Sequence, residues 1–227
     1  MANLKEIRAR IASVSSTQQI TKAMKMVSAS KLRRAQNAIV QLRPYSQKLN
    51  AMMSNLLSNI DGDASSAFGT ERQVENVCIV VVTSNRGLCG AFNSNVIKSA
   101  IATMNEKYPA QLAAGKITIM PVGKRGADFF SKRYPKLPVI TDYIEMFSNL
   151  KSDNVARASQ QLMDAFVNKQ FDAVEISYGR FRNAAMQFPE TEQFLPVAKI
   201  KVDESLSKKK ADYIFEPDQT SLLEHLI

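Results

Sequence analysis

The sequence predicts an α/β protein in which a long N-terminal coiled-coil helix joins a Rossmann-like, mostly parallel sheet domain. Three observations carry that reading. The first 59 residues contain no Gly and only one Pro, Pro44, and their apolar residues step by three and four. From residue 74 onward, short β-branched runs alternate with amphipathic stretches, the pattern of a parallel sheet covered on both faces. Between the two lies DGDASSAFGT, residues 61–70, a clear stop and connector. The expected organisation is therefore a basic helix over 1–60, a linker over 61–70, an α/β domain over 71–215 and a short helical pattern over 216–227.

In chain order, the first helix is read from Leu4, Ile7, Ile11, Val14, Ile20, Met24, Val27, Leu32, Ala35, Ile39, Leu42, Leu49, Met53, Leu56 and Ile60. Asn3 is the expected N-cap, and Glu6 three residues on is placed to complete a capping box. Pro44 should perturb one turn without ending the helix. At 1.5 Å per residue, such a helix is roughly 85 Å long, against about 30 Å for a small domain. Its narrow seam, interrupted by Gln18, Thr21, Ser28 and Lys31, calls for a partner helix.

This helix also holds the whole net charge. Residues 1–48 contain ten Lys and Arg and one acid, Glu6, so 10 − 1 = +9; the chain total is 30 − 21 = +9, and the remainder is neutral. A helix so short of acids repels itself unless an acidic surface, protein or nucleic acid, lies against it.

Downstream, VENVCIVVV (74–82) reads as a buried strand, and an amphipathic helix spans 93–108. KITIMPV (116–122) is a second strand and GKRGADFFSKRY a second helix, and LPVITDY is expected to add a short strand. Lys151 to Lys169 is a helix with Val155, Ala158, Leu162, Ala165 and Phe166 on one face. FDAVEISYGRF is a strand, and FLPVAKIKV is expected to be its antiparallel partner.

Composition excludes several function classes. No apolar run approaches the roughly 18 residues that span a bilayer, and MANLKEIRAR is not a signal peptide. Two cysteines, Cys78 and Cys89, imply no disulfide framework, and the single His225 rules out a multi-histidine metal site. Gly87-Leu88-Cys89-Gly90 follows a strand and precedes a helix, where a dinucleotide fold would bind pyrophosphate. It is neither G-x-G-x-x-G nor a Walker loop, so a tight strand-to-helix turn is the better reading. Cys89 opens a helix but has no His near it in sequence, which argues against a catalytic thiol. Without paired carboxylates, a metal cluster or a nucleophile constellation, the residues point to a non-enzymatic interaction protein that needs no cofactor.

The segment IRARIASVSSTQQITKAMKMVSASKLRRAQ, residues 7–36, resembles the N-terminal helix of the gamma subunit of F-type ATP synthases. TSNRGLCGAFN (83–93) resembles that family's second hallmark, although the family more often has Asp at the position of Asn85. GKRGADFF (123–130) and DYIFEPD (212–218) agree as well, so the resemblance runs along the whole chain. It implies a central-stalk rotor that couples rotation of a membrane c ring to conformational change in a ring of alpha and beta subunits, with an epsilon subunit beside it. Such a subunit is not catalytic; the chemistry belongs to beta. The family has a second long helix that pairs with the first, and here only its beginning, DQTSLLEHLI, is expected. With neither a transit peptide nor a chloroplast-type insertion, a bacterial member is expected, peripheral on the cytoplasmic face of the inner membrane.

By family position, Lys22, Met24, Lys25, Lys31, Arg33 and Arg34 would face the catalytic ring from a basic face of the helix. Arg86, Gly87, Leu88 and Cys89 would lie near an acidic beta segment. Arg43, Pro44, Tyr45, Tyr213 and Glu216 would lie toward the c ring and epsilon. The competing reading is a nucleic-acid-binding α/β protein with a basic helical arm. Single-strand binding wants Arg interleaved with aromatics, and residues 1–44 contain no aromatic at all.

Overall fold

The computed structural model describes residues 3–59, 68, 72–183 and 186–197. The expected C-terminal helical pattern, Tyr213, Glu216 and most of the expected linker lie outside them. The chain divides into a helical unit holding residues 3–59 and a sheet unit within 62–201.

The helical unit contains α1, Leu4–Asn59, unbroken through Pro44. Asn3 caps it: its side-chain Oδ1 accepts from the Lys5 N–H at 3.3 Å and its carbonyl accepts from Glu6 N–H at 2.8 Å. The expected capping box is not completed. The Glu6 carboxylate turns outward to Arg10, 2.7 Å away, because an acid among so many bases finds a cation one turn on. The seam residues Leu4, Ile11, Val14, Ile20, Met24 and Val27 are all more than half exposed.

The sheet unit is built from β1 (Val77–Val82), α2 (Phe92–Lys107), α3 (Pro109–Ala113), β2 (Ile117–Val122), α4 (Lys124–Arg133), α5 (Ser152–Val167), β3 (Ala173–Phe181) and β4 (Gln187–Leu195). The strand order is β2-β1-β3-β4. β1 pairs parallel with β2 and β3, and β4 closes the edge antiparallel to β3. Alternation along β1 sorts the core. Val77, Ile79 and Val81 pack with Val96, Ala100, Met104 and Phe130 of α2 and α4. Cys78 and Val80 face the other way, onto Ala158, Leu162 and Phe166 of α5. Near-continuous burial along β1 is what a central parallel strand requires.

Two sequence expectations are corrected. LPVITDY forms no strand, only a single parallel bridge from Val139 to Ile119. Pro138 has no N–H to donate, and the chain turns away after Ile140. The antiparallel strand is Gln187–Leu195: it starts seven residues before FLPVAKIKV (194 − 187 = 7) and ends at Leu195, and residues 198–202 of that run lie outside the described residues. Its polar composition, QFPETEQF, hid it, because an edge strand keeps one face in water. The short helix Pro109–Ala113 and the 3₁₀ turn Met146–Asn149 were not anticipated.

Candidate functional site

The strand-to-helix loop after β1 is held from below by a lattice of short bonds. Thr83 N–H donates to Val122 O at 2.8 Å and continues the β1–β2 ladder one step. Its buried hydroxyl sits between Gly123 O, 3.3 Å away, and the Gly126 N–H, 2.8 Å away. Gly123 holds φ +112°, and a Cβ there would lie 2.1 Å from Thr83 O, so no other residue fits. Ser84 N–H donates to Asn93 Oδ1 at 2.9 Å, and the Asn93 amide donates back to Ser84 Oγ at 2.9 Å and to Cys89 Sγ at 3.1 Å. The first turn of α2 thus ties down the loop that precedes it.

Above this base stands the tip, Arg86 to Cys89. Asn85 carries it on both amide atoms: Oδ1 accepts from Lys124 N–H and Nδ2 donates to Glu145 Oε2, each at 3.1 Å. Glu145 is itself held by Ser148 Oγ at 2.9 Å. The Arg125 guanidinium packs against Gly87, where a Cβ would approach Nη2 to 3.1 Å. Leu88 then takes φ +62° with its side chain wholly exposed. Left-handed backbone is costly for a residue that carries a Cβ.

The Gly-rich turn leads into α2, whose Phe92 N–H is spent on Cys89 O at 3.3 Å, and the same bonds occupy the neighbouring helix start after β2. The N-terminal N–H groups of α4 are spent on Asn85 Oδ1 (Lys124), Ser84 O (Arg125) and Thr83 Oγ1 (Gly126). Cys89 is an exposed free thiol, and Cys78 is buried, its thiol pushed up to about 12 by desolvation. Among the described residues no group of His, Cys, Asp and Glu is placed to hold a metal, and no helix is long and apolar enough to cross a membrane.

On α1, Lys22, Met24, Lys25, Lys31, Arg33, Arg34, Arg43, Pro44 and Tyr45 are all exposed. They do not share a face. At about 100° per residue, Lys22, Lys25 and Arg33 fall within an arc of about 80°, while Lys31 and Met24 lie on the opposite side and Arg34 between. The expected basic face is a basic sleeve. The structure gathers Arg86, Gly87, Leu88 and Cys89 into one tip, as their contiguity required. Sequence reasoning missed the supports Ser84, Asn93, Arg125 and Glu145. Ser84 and Asn93 lie in the hallmark segment 83–93 and Arg125 in GKRGADFF, which is the signal that could have found them; Glu145, 60 residues from Asn85, left none.

Fold and site define a class: a sheet domain joined to a long cationic helix, presenting one rigid loop tip to solvent. The chain belongs to the ATP synthase gamma chain family. A family model described as ATP synthase matches residues 3–227. The ATP synthase gamma chain of Flavobacterium psychrophilum is 50% identical over all of this chain and 76% of that protein. Those of Flavobacterium johnsoniae and Cytophaga hutchinsonii are 46% and 44% identical over all of this chain, covering 76% and 77% of theirs. The fold matches a chain in the central stalk and c-ring structure of Tetrahymena thermophila mitochondrial ATP synthase, with TM-score 0.56 and 23% identity over 91% of this chain and 84% of that one. A chain in the rotor of the Euglena gracilis mitochondrial enzyme gives 0.51 at 21% identity, over 96% and 73%.

Proposed function

We propose that this chain is the central-stalk rotor subunit of an F-type ATP synthase, carrying ion-driven rotation of a c ring to a catalytic ring of alpha and beta subunits. The observation that carries it is identity of 44–50% to bacterial gamma chains across all of this chain. The subunit is mechanical and not catalytic. Its own geometry supports that role: a long cationic helix to sit among acidic neighbours, and a braced, strained tip to meet one.

Within this reading, the sleeve residues Lys22, Met24, Lys25, Lys31, Arg33 and Arg34 face the catalytic ring. Arg86 to Cys89 meet an acidic beta segment, and Arg43, Pro44 and Tyr45, with Tyr213 and Glu216, lie toward the c ring and epsilon. The complex places the subunit on the cytoplasmic face of a bacterial inner membrane. The nucleic-acid reading receives no support from the relatives named above.

The test is affinity purification of the tagged chain from its own host, with mass spectrometry of what accompanies it. Alpha, beta and epsilon subunits are the expected companions. Recovery of nucleic acid without them overturns the reading.

A further inference from the structure

Three cations converge on the loop tip from two distant stretches of chain. Arg86 stands in the tip itself, between Asn85 and Gly87. Lys124 and Arg125 open α4, and backbone bonds bring them to the same corner. Lys124 N–H donates to Asn85 Oδ1 at 3.1 Å, and Arg125 N–H donates to Ser84 O at 3.2 Å. All three residues are exposed. Among the described residues, none of the three side chains makes an ion pair or a hydrogen bond. Glu145, the acid bonded into this corner, turns its Oε2 to Asn85 and Ser148. The Arg125 guanidinium is placed all the same: it lies against Gly87, which has no Cβ to push it away.

That arrangement is unfavourable in the free chain. The charges repel one another, and no acid is paired with them. Lys124 and Arg125 also occupy the first turn of a helix, the end at which the backbone dipole disfavours positive charge. An anionic partner removes both costs. A small anion such as phosphate binds a helix start through free backbone N–H groups, and here those of Lys124, Arg125 and Gly126 are spent. What remains is recognition by side chains. A guanidinium fork suits a carboxylate, which it meets with two parallel bonds. Seating that fork against Gly87 before the partner arrives lowers the entropy lost on association.

We propose that Lys124 and Arg125 extend the contact surface of the tip, with Arg125 as the residue that grips a carboxylate of an acidic protein segment. This rests on the reading above, in which Arg86 to Cys89 meet an acidic segment of beta. It adds to that contact two residues from a different element. It also gives Gly87 a role there, as the spacer that seats the guanidinium.

The experiment uses the full chain assembled with alpha and beta. A carbodiimide, which joins an amine to a carboxylate as an amide with no spacer, is applied to complexes carrying the wild-type chain, Arg86→Lys or Arg125→Lys. The joined peptides are identified by mass spectrometry. Lys124 of the wild-type chain and the amine introduced by Arg125→Lys should both couple to Asp or Glu of beta. Lys132, about two turns further along α4, should not. In parallel, the chain concentration that half-assembles the complex is measured for the wild-type chain, Arg125→Ala and Lys132→Ala.

Arg125→Ala should raise that concentration about tenfold, the loss expected for one paired arginine at an interface, and the difference should shrink as salt is added. Lys132→Ala should leave it at the wild-type value. The unfolding temperature of the free Arg125→Ala chain should also hold, because the guanidinium makes no bond among the described residues. Coupling by Arg86→Lys, with Lys124 and Arg125→Lys both silent, overturns the proposal and leaves the tip's contact with beta intact. An equal loss of assembly in Arg125→Ala and Lys132→Ala overturns it too, and so does a fall in unfolding temperature that accounts for the loss. Silence at Arg86→Lys, Lys124 and Arg125→Lys alike overturns the contact with beta itself, and the proposal with it.

Discussion

At the scale of single residues, the sheet unit keeps three ionisable groups neutral. Burial pushes the Cys78 thiol from its ordinary 9.0 up to about 12. Burial, then a hydrogen bond to Glu192, pushes Tyr178 from 10.0 up to about 12. Tyr108 is raised by burial and by its 2.8 Å bond to Glu175. All three are acids whose folded pKa exceeds the unfolded value, so folding favours the protonated form. Their contribution is fully present below about 9 and is lost as pH rises toward 12. The unfolding temperature should therefore fall steeply across that window in a pH series. Cys78→Ala removes one contributor and should flatten the slope, at the cost of a small cavity visible at pH 8. Parallel curves for the two proteins from pH 9 to 12 would show that Cys78 does not titrate with unfolding. Asn85 shows a different kind of residue-scale logic. Its amide nitrogen donates to Glu145, 60 residues away, a bond an ionised aspartate at this position could not make.

At the scale of elements, α1 was legible from end to end because its signal is purely local: a 3.6-residue period, no Gly and an Asn cap. The buried strands β1 and β2 were legible for the same reason, as apolar β-branched runs. β4 was not, since what makes it a strand is the ladder to β3, from Val174–Leu195 to Phe181–Gln187, and its own residues are polar. The loop tip was legible as a motif but not as a braced structure, because its supports come from α2, α4 and the 140s region. On α1 itself the bases encircle the axis, so their effect is a field and not a patch. Ten charges over about 72 Å lie roughly 7 Å apart along the axis, inside the Debye length of about 8 Å at physiological salt. Any single exposed pair is worth about 0–1 kcal/mol. Lys31→Ala in the assembled enzyme should leave ATP hydrolysis near the wild-type rate. Replacing Lys22, Lys25, Lys31, Arg33 and Arg34 together should loosen assembly, with a deficit that grows with added salt. A single substitution as damaging as all five would point to a specific contact in place of a field.

For the whole molecule, the question is why a doubly covered, mostly parallel sheet with a Gly-rich first turn should act as a mechanical part. In such sheets, ligands sit at the carboxyl ends of the strands, where helix N-termini offer free N–H groups. At the corner between β2 and α4 that end is filled by the protein itself. Thr83, Ser84 and Asn85 consume the first donors of α4, Asn93 is turned back onto Ser84 and Cys89, and the Gly123 backbone is pressed so close to Thr83 O that nothing enters between them. What the fold family uses for binding, this chain uses for stiffness, which a transmitter of torque needs and an enzyme that must admit substrate does not. Isothermal titration of the chain with MgATP should accordingly give no saturable heat at micromolar concentrations. Thr83→Ala frees the Gly126 N–H without adding bulk; it should cost about 1–3 kcal/mol through the unsatisfied buried donor and still create no ATP site, because the Lys124 and Arg125 donors stay occupied. A one-site isotherm in the wild-type chain would mean that the loop opens to admit phosphate, and the stiffness argued from its bonds would then be wrong.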